Sequence, residues 1–274
     1  MKYSFMSFSC PDLSLDAMLE LAGRLGYDAI EPRIGSGHKH GIELETSHQE
    51  RTLIKDKVAA GSIELCCLAT SCNYSNPETR DEMIDQTLKA IELAADVGCR
   101  KIRVFGGDIP AGISRTQAID SLAGSLKKVA VSAEGKNVVV CLETHDAWCE
   151  PDHVVAVMNL VDSTNVAVNW DIMHPVRRCG RTIDYTFNRL QKWIRHCHIH
   201  DGAWFGEDLK ITLTPIGQGM VDHKRALELL IKAGYDGAVS GEWIKWAGSP
   251  YEEHLPRELA LLKKIEKEVN KTLF

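Results

Sequence analysis

The sequence predicts an α/β fold, a single-domain (β/α)8 TIM barrel spanning residues 1–274. Three observations predict it. Short β-rich runs recur along the whole chain, helix-length amphipathic stretches separate them, and no Pro-, Gly- or Ser-rich linker or low-complexity segment interrupts the pattern. Strands that alternate with helices pair in parallel through right-handed crossovers. Eight such units in 274 residues match a closed barrel, which takes about 250 residues as one domain.

The predicted strands, in order, are Tyr3–Phe8, Ala29–Arg33, Ile63–Leu68, Lys101–Phe105, Val138–Glu143, Val166–Asp171, Arg195–His200 and Ala238–Trp243. The clearest predicted helices are Leu15–Leu25, Arg80–Val97, Ser114–Glu134 and Asp222–Ala233. Gly98 and Gly234 each stand just after a helix and before the next strand, where a left-handed cap belongs. An open doubly wound sheet is the competing architecture. Its nucleotide-binding form favours GxGxxG after the first strand, and this chain reads Ser7-Phe8-Ser9-Cys10-Pro11 there. Gly217-Gln218-Gly219 reads as a tight turn leading into an Asp222 N-cap rather than a phosphate cradle.

Composition narrows the functional classes. Hydrophobic residues at 44% and charged residues at 26% are ordinary for a soluble globular protein. A net charge of −6 argues against nucleic acid and anionic membranes as partners. The opening MKYSFMSFSCPDLS lacks the apolar segment of a signal peptide. No stretch approaches the roughly 18 consecutive apolar residues of a membrane span. The nine cysteines contain no CxxC pair, so reduced thiols and a cytoplasmic location are expected.

In a barrel, chemistry gathers at the carboxyl ends of the strands. The fifth strand ends Leu142-Glu143-Thr144-His145-Asp146, and the sixth Asn169-Trp170-Asp171 with His174 beyond it. The seventh reads His196-Cys197-His198-Ile199-His200-Asp201, and the eighth Ser240-Gly241-Glu242-Trp243. Period-2 alternation places Cys141, Glu143 and His145 on one face of the fifth strand. It turns Asn169 and Asp171 inward opposite Val168 and Trp170, and does the same for Ser240 and Glu242. His196, His198 and His200 share one face of the seventh. Four neighbouring strands therefore aim Glu, Asp, His and Glu at one point. Three carboxylates buried together repel one another, and a divalent cation removes that cost. Three carboxylates and one imidazole suit Mn²⁺ or Mg²⁺, with Co²⁺ or Zn²⁺ as alternatives.

With these motifs the chain resembles the sugar phosphate isomerase/epimerase superfamily of xylose-isomerase-like TIM barrels. That superfamily includes ketose 3-epimerases, hydroxypyruvate isomerase and inosose dehydratase. The resemblance runs on through Ile216-Gly217-Gln218-Gly219 and Ala233-Gly234-Tyr235-Asp236-Gly237. It implies one divalent cation held by Glu143, Asp171, His198 and Glu242. It also implies a sugar or polyol substrate and a dimer or tetramer. Two positions depart from the family: His200 stands where Lys is frequent, and Trp204 where ketose 3-epimerases tend to carry Arg.

The implied chemistry is proton abstraction beside a carbonyl, through a metal-stabilised enediolate. Glu143 and Glu242 are the implied proton carriers, and His174 and His200 substrate contacts; His145, on the inward face with Glu143, is either a further acid/base or a loop histidine that holds Asp146 or Glu143 in place. Return of the proton to the other face gives epimerisation, transfer to the adjacent carbon isomerisation, and loss of a β-hydroxyl dehydration, the alternative activity. His196 is expected as a deeper supporting histidine, and Asp201 as an organiser of the seventh-strand loop. A Glu31–Arg103 pair is expected to close the barrel interior, with Arg33 on the same face. Trp148, Trp204, Phe205 and Trp246 are candidates to stack on a sugar, and Gly206–Thr214 is a candidate lid. An endonuclease IV-like hydrolase shares the barrel but needs histidines that Leu68-Ala69-Thr70-Ser71 and Val104-Phe105-Gly106-Gly107 do not supply. A barrel kept only for binding would have no need of the clustered charge.

Overall fold

The computed structural model describes residues 1–204, 211–244 and 249–273. Its strands are β1 (Lys2–Met6), β2 (Ala29–Glu31), β3 (Glu64–Leu65), β4 (Leu68–Ala69), β5 (Lys101–Val104), β6 (Val139–Glu143), β7 (Val166–Asp171) and β8 (Ile194–Ile199). A hairpin of β9 (Asp201–Trp204) and β10 (Ile211–Thr214) follows, and then β11 (Ala238–Gly241). The parallel sheet runs in the order β3-β2-β1-β11-β8-β7-β6-β5-β4. Its two end strands belong to one stretch of chain. β3 bonds to β2 and β4 to β5, so residues 64–69 close the sheet into a barrel. The third strand expected at Ile63–Leu68 is thus split at Cys66-Cys67, where the chain passes from one neighbour to the other.

The helices are α1 (Leu15–Leu25), α2 (His48–Ala60), α3 (Arg80–Asp96), α4 (Arg115–Lys136), α5 (Pro151–Val161), α6 (Met173–Cys179), α7 (Ile183–Leu190), α8 (His223–Lys232) and α9 (Tyr251–Leu273). Local chemistry sets several ends. Ser47 with Glu50 and Ser114 with Gln117 form capping boxes, and Pro151 occupies a first-turn position. Gly98 and Gly234 adopt φ of 81° and 67°, the expected left-handed caps. No helix among the described residues is long and apolar enough to cross a membrane.

Strand alternation divides the barrel wall. Val140, Leu142, Val168, Trp170 and Ile199 are wholly buried, and the Trp170 ring packs 5.7 Å from Phe187 of α7. Each such side chain removed from water contributes about 1.5–3 kcal/mol. The opposite faces carry Ser4, Glu31, Arg103, Asn169, His196 and Ser240, also buried. A β-bulge aligns the two site-bearing strands in the middle of this wall. Val168 pairs with Ile194, but Asn169 pairs with His196, which leaves Arg195 as the extra residue. The bulge shifts the parity of β8, so Ile194 follows the helix-facing row while His196 and His198 turn inward.

Candidate metal centre

Register brings the four strand ends together. Asp171 is opposite His198, Glu143 is opposite Asn169, and Ser240 is opposite His198. The Glu242 amide bonds to Ile199 O at 3.1 Å, which carries the β8–β11 pairing one residue past Gly241. One ligand-type atom from each of Glu143, Asp171, His198 and Glu242 lies within 4.8 Å of all the others, and all four residues are buried. These are the four positions that the resemblance implied.

His198 Nδ1 is 3.0 Å from Glu143 Oε1 and 3.5 Å from Glu242 Oε2. Asp171 reaches the same point from a fixed base, because its Oδ1 accepts the amides of Met173 and His174, both at 2.9 Å. Its Oδ2 and Glu143 Oε2 are fully buried and accept no aligned hydrogen bond. Three buried carboxylates round an imidazole form a donor set that fits a divalent cation. Burial opposes the charge on Asp171 and Glu242, but neighbouring imidazoles outweigh it and hold both below the ordinary carboxylate range. Burial likewise opposes a charge on His198, yet Glu31, Glu143 and Glu242 raise it well above an ordinary imidazole.

A second group, Asp171, His174, His200 and Glu242, is equally compact. His200 Nε2 lies 2.9 Å from Asp171 Oδ2 and His174 Nε2 at 3.8 Å. Burial pushes His174 down to about 4. The ring of His145 meets that of His174 edge-on at 4.5 Å, and His174 meets His200 at 5.4 Å. His145 Nδ1 lies 2.6 Å from Asp146 Oδ1 and the ring rests on Phe105. Three imidazoles thus line one side of the carboxylate cluster.

The expected Glu31–Arg103 pair does not form. Arg103 Nε lies 3.0 Å from Glu143 Oε2. Glu31 instead reaches His196 Nε2 at 2.8 Å and His198 Nε2 at 3.0 Å. Alternation shows that these side chains point inward, but their relative heights in the staggered barrel decide who meets whom. Arg33 is committed to Ile34 O and Ser71 Oγ. The only signal in the sequence for the contact of Glu31 with the candidate ligand His198 is its inward parity in Ala29-Ile30-Glu31.

Asp201 accepts amides from Gly202, Gly217, Gly219 and Val221, and so ties the β9 start to the Gly217-Gln218-Gly219 turn, outside the cluster. Gly217 has φ 83°, and a Cβ on Gly219 would strike Asp201. Asp222 caps α8 through the Arg225 amide, as expected. Trp148 is not available to a sugar. It is fully buried, and its indole N–H donates to Gly107 O at 2.9 Å. Phe205, Trp246 and residues 206–210 of the candidate lid lie outside the described residues, as does the side chain of Trp204.

Comparison with known proteins agrees with this architecture. L-ribulose-5-phosphate 3-epimerase UlaE of Escherichia coli (strain SMS-3-5 / SECEC) is 21% identical over 252 residues, covering 86% of this chain and 84% of that protein. The crystal structure of IOLI protein with a bound zinc atom superposes with a TM-score of 0.79 at 21% identity, over 100% of this chain and 99% of that one. The probable 3-DHS dehydratase AsbF of Bacillus anthracis gives 0.78 at 19% identity, over 96% and 99% of the two chains. The family model described as xylose isomerase-like TIM barrel matches residues 19–265, and the chain belongs to that family.

Proposed function

We propose that the protein is a divalent-metal-dependent sugar or sugar phosphate isomerase/epimerase that removes a proton from the carbon beside a carbonyl. The convergence of the buried Glu143, Asp171, His198 and Glu242 within 4.8 Å of one another carries this reading. A cation held there, Mn²⁺ or Mg²⁺ by the oxygen-rich donor set and Co²⁺ or Zn²⁺ as alternatives, supplies Lewis acidity to a carbonyl and its neighbouring hydroxyl.

The chain's own groups handle the proton. Glu143 and Glu242 both approach His198 Nδ1, so a substrate carbon placed between their carboxylates can lose its proton to one and take a proton that solvent delivers through the other. Arg103 beside Glu143 Oε2 keeps that carboxylate from turning away. His174 and His200 bind substrate oxygens. As a neutral ring His174 offers one donor and one acceptor to a hydroxyl. His145, held by Asp146, relays protons at the rim. The named activity of the UlaE relative, a 3-epimerase of a ketose phosphate, supports a substrate of this class.

Dehydration is the second reading. The His145–His174–His200 row favours it, because a proton donor beside the carboxylates would help a β-hydroxyl depart. The AsbF likeness points the same way. The deciding experiment measures metal per chain, for wild type and Glu242→Gln, and then follows solvent deuterium uptake by ketoses, ketose phosphates and inososes. One equivalent of cation lost in the variant, with deuterium entering a recovered sugar, supports epimerisation or isomerisation. An unsaturated product points to dehydration, and absence of any bound cation after Mn²⁺ loading overturns both readings.

A further inference from the structure

Glu31 ends β2, and two strands, β1 and β11, separate it in the sheet from β8. Its side chain nevertheless crosses the barrel interior to β8, and both of its oxygens are taken. Oε2 lies 2.8 Å from His196 Nε2 and Oε1 3.0 Å from His198 Nε2, and all three residues are fully shielded from solvent. The other ring nitrogen of His198, Nδ1, is the one that faces Glu143 and Glu242.

A neutral imidazole has one N–H and one lone pair. Both ring nitrogens of His198 face a carboxylate at 3.0 Å; a cation entering the cluster would take the place of a proton on Nδ1, while Glu31 keeps the proton on Nε2. We infer that Glu31 is a positioning residue for the metal centre: it holds His198 as the Nε2–H tautomer, so that Nδ1 is the ligand atom. The inference rests on the metal-centre reading above.

His196 makes the arrangement specific. By binding the second oxygen it prevents the Glu31 carboxylate from rotating, so Oε1 stays on the His198 axis. Cys66 lies close enough to join Glu31 and His196 as a ligand group. Its thiol, however, already contacts Ser4 Oγ at 3.3 Å and Ile30 O at 3.4 Å. A carboxylate behind a ligating histidine orients the ring and raises its basicity, and losing one typically costs 10–100-fold in metal affinity.

The test uses the full-length protein loaded with Zn²⁺ and isotope-labelled at histidine. Long-range proton–nitrogen correlations should show the His198 ring protonated at Nε2 and metal-shifted at Nδ1. In Glu31→Gln, Zn²⁺ affinity measured by chelator competition should fall by roughly 10–100-fold, with cooperative unfolding of the metal-free protein retained. Zinc bound through Nε2 of His198 overturns the inference, as does a folded Glu31→Gln that binds as tightly as wild type. A second zinc lost in Cys66→Ala also overturns it, because Glu31 would then be a ligand itself. If Glu31→Gln does not fold, the wild-type ring spectrum alone decides. Failure of wild type to bind any cation brings down the metal-centre reading as well, and so is told apart from failure of the inference alone.

Discussion

Arg103 Nε stands 3.0 Å from Glu143 Oε2 inside the barrel, with both side chains out of solvent. The guanidinium also donates to Thr70 O at 2.6 Å and lies 3.9 Å above the Phe105 ring. Arg103 is thus the cation that β5 presents to a carboxylate of β6. Removing one partner of a buried pair leaves an uncompensated charge, at a cost of about 3–5 kcal/mol. Arg103→Met should therefore lower the urea-unfolding free energy of chelator-treated protein by that amount. Unchanged stability would show that the pair does not balance the buried charge.

Asp171 divides its work between its two oxygens. Oδ1 receives two amides at the start of α6, while Oδ2 faces the cluster. Asn keeps an oxygen for the amides but loses the second acceptor. Asp171→Asn should therefore bind less than one cation per chain by elemental analysis while unfolding at close to the wild-type temperature without metal. Full metal occupancy in the variant would remove Asp171 from the ligand set.

Asp201 predicts a pH dependence away from the cluster. Burial disfavours its charge, but the His223 side chain and the amides of Gly219 and Gly202 outweigh that and hold its pKa below the ordinary carboxylate range. A lowered folded pKa stabilises above the unfolded value of about 4 and is lost as pH falls through the folded value. Asp201→Asn should be less stable than wild type at neutral pH by about 1.5–3 kcal/mol, the scale of a hydrogen bond to a charged group. The gap should narrow below pH of about 4. A gap that stays constant across thermal melts at several pH values would contradict this.

Gly106 packs directly against the Trp148 indole, where a Cβ would overlap the ring. Trp148 has nowhere to go, being fully buried with its N–H on Gly107 O. Gly106→Ala should cost about 1–3 kcal/mol through overpacking. Denaturant titration checks it, and a neutral result would mean that the β5 and β6 loops can separate there.

Much of the candidate site is legible in the chain. Glu143, Asp171 and Glu242 stand at strand ends on the inward parity, and His198 sits in a run whose alternate residues are all histidine. Alternation is a local property, because successive side chains on any strand point to opposite faces. The Gly98 and Gly234 caps were legible for the same reason, as each depends on a few neighbouring residues.

The sequence by itself determined which residues point into the barrel, where the helices stop and which side-chain chemistry lines the mouth. Tertiary structure alone decided which inward groups meet. Arg103 goes to Glu143 rather than Glu31, Glu31 goes to His196 and His198, and Trp148 is sealed behind Gly106. Those outcomes depend on strand stagger, on the bulge at Arg195 and on the closing of the barrel through residues 64–69. They are distances between segments far apart in the chain. A period-2 pattern carries the direction of a side chain but not its height along the barrel axis.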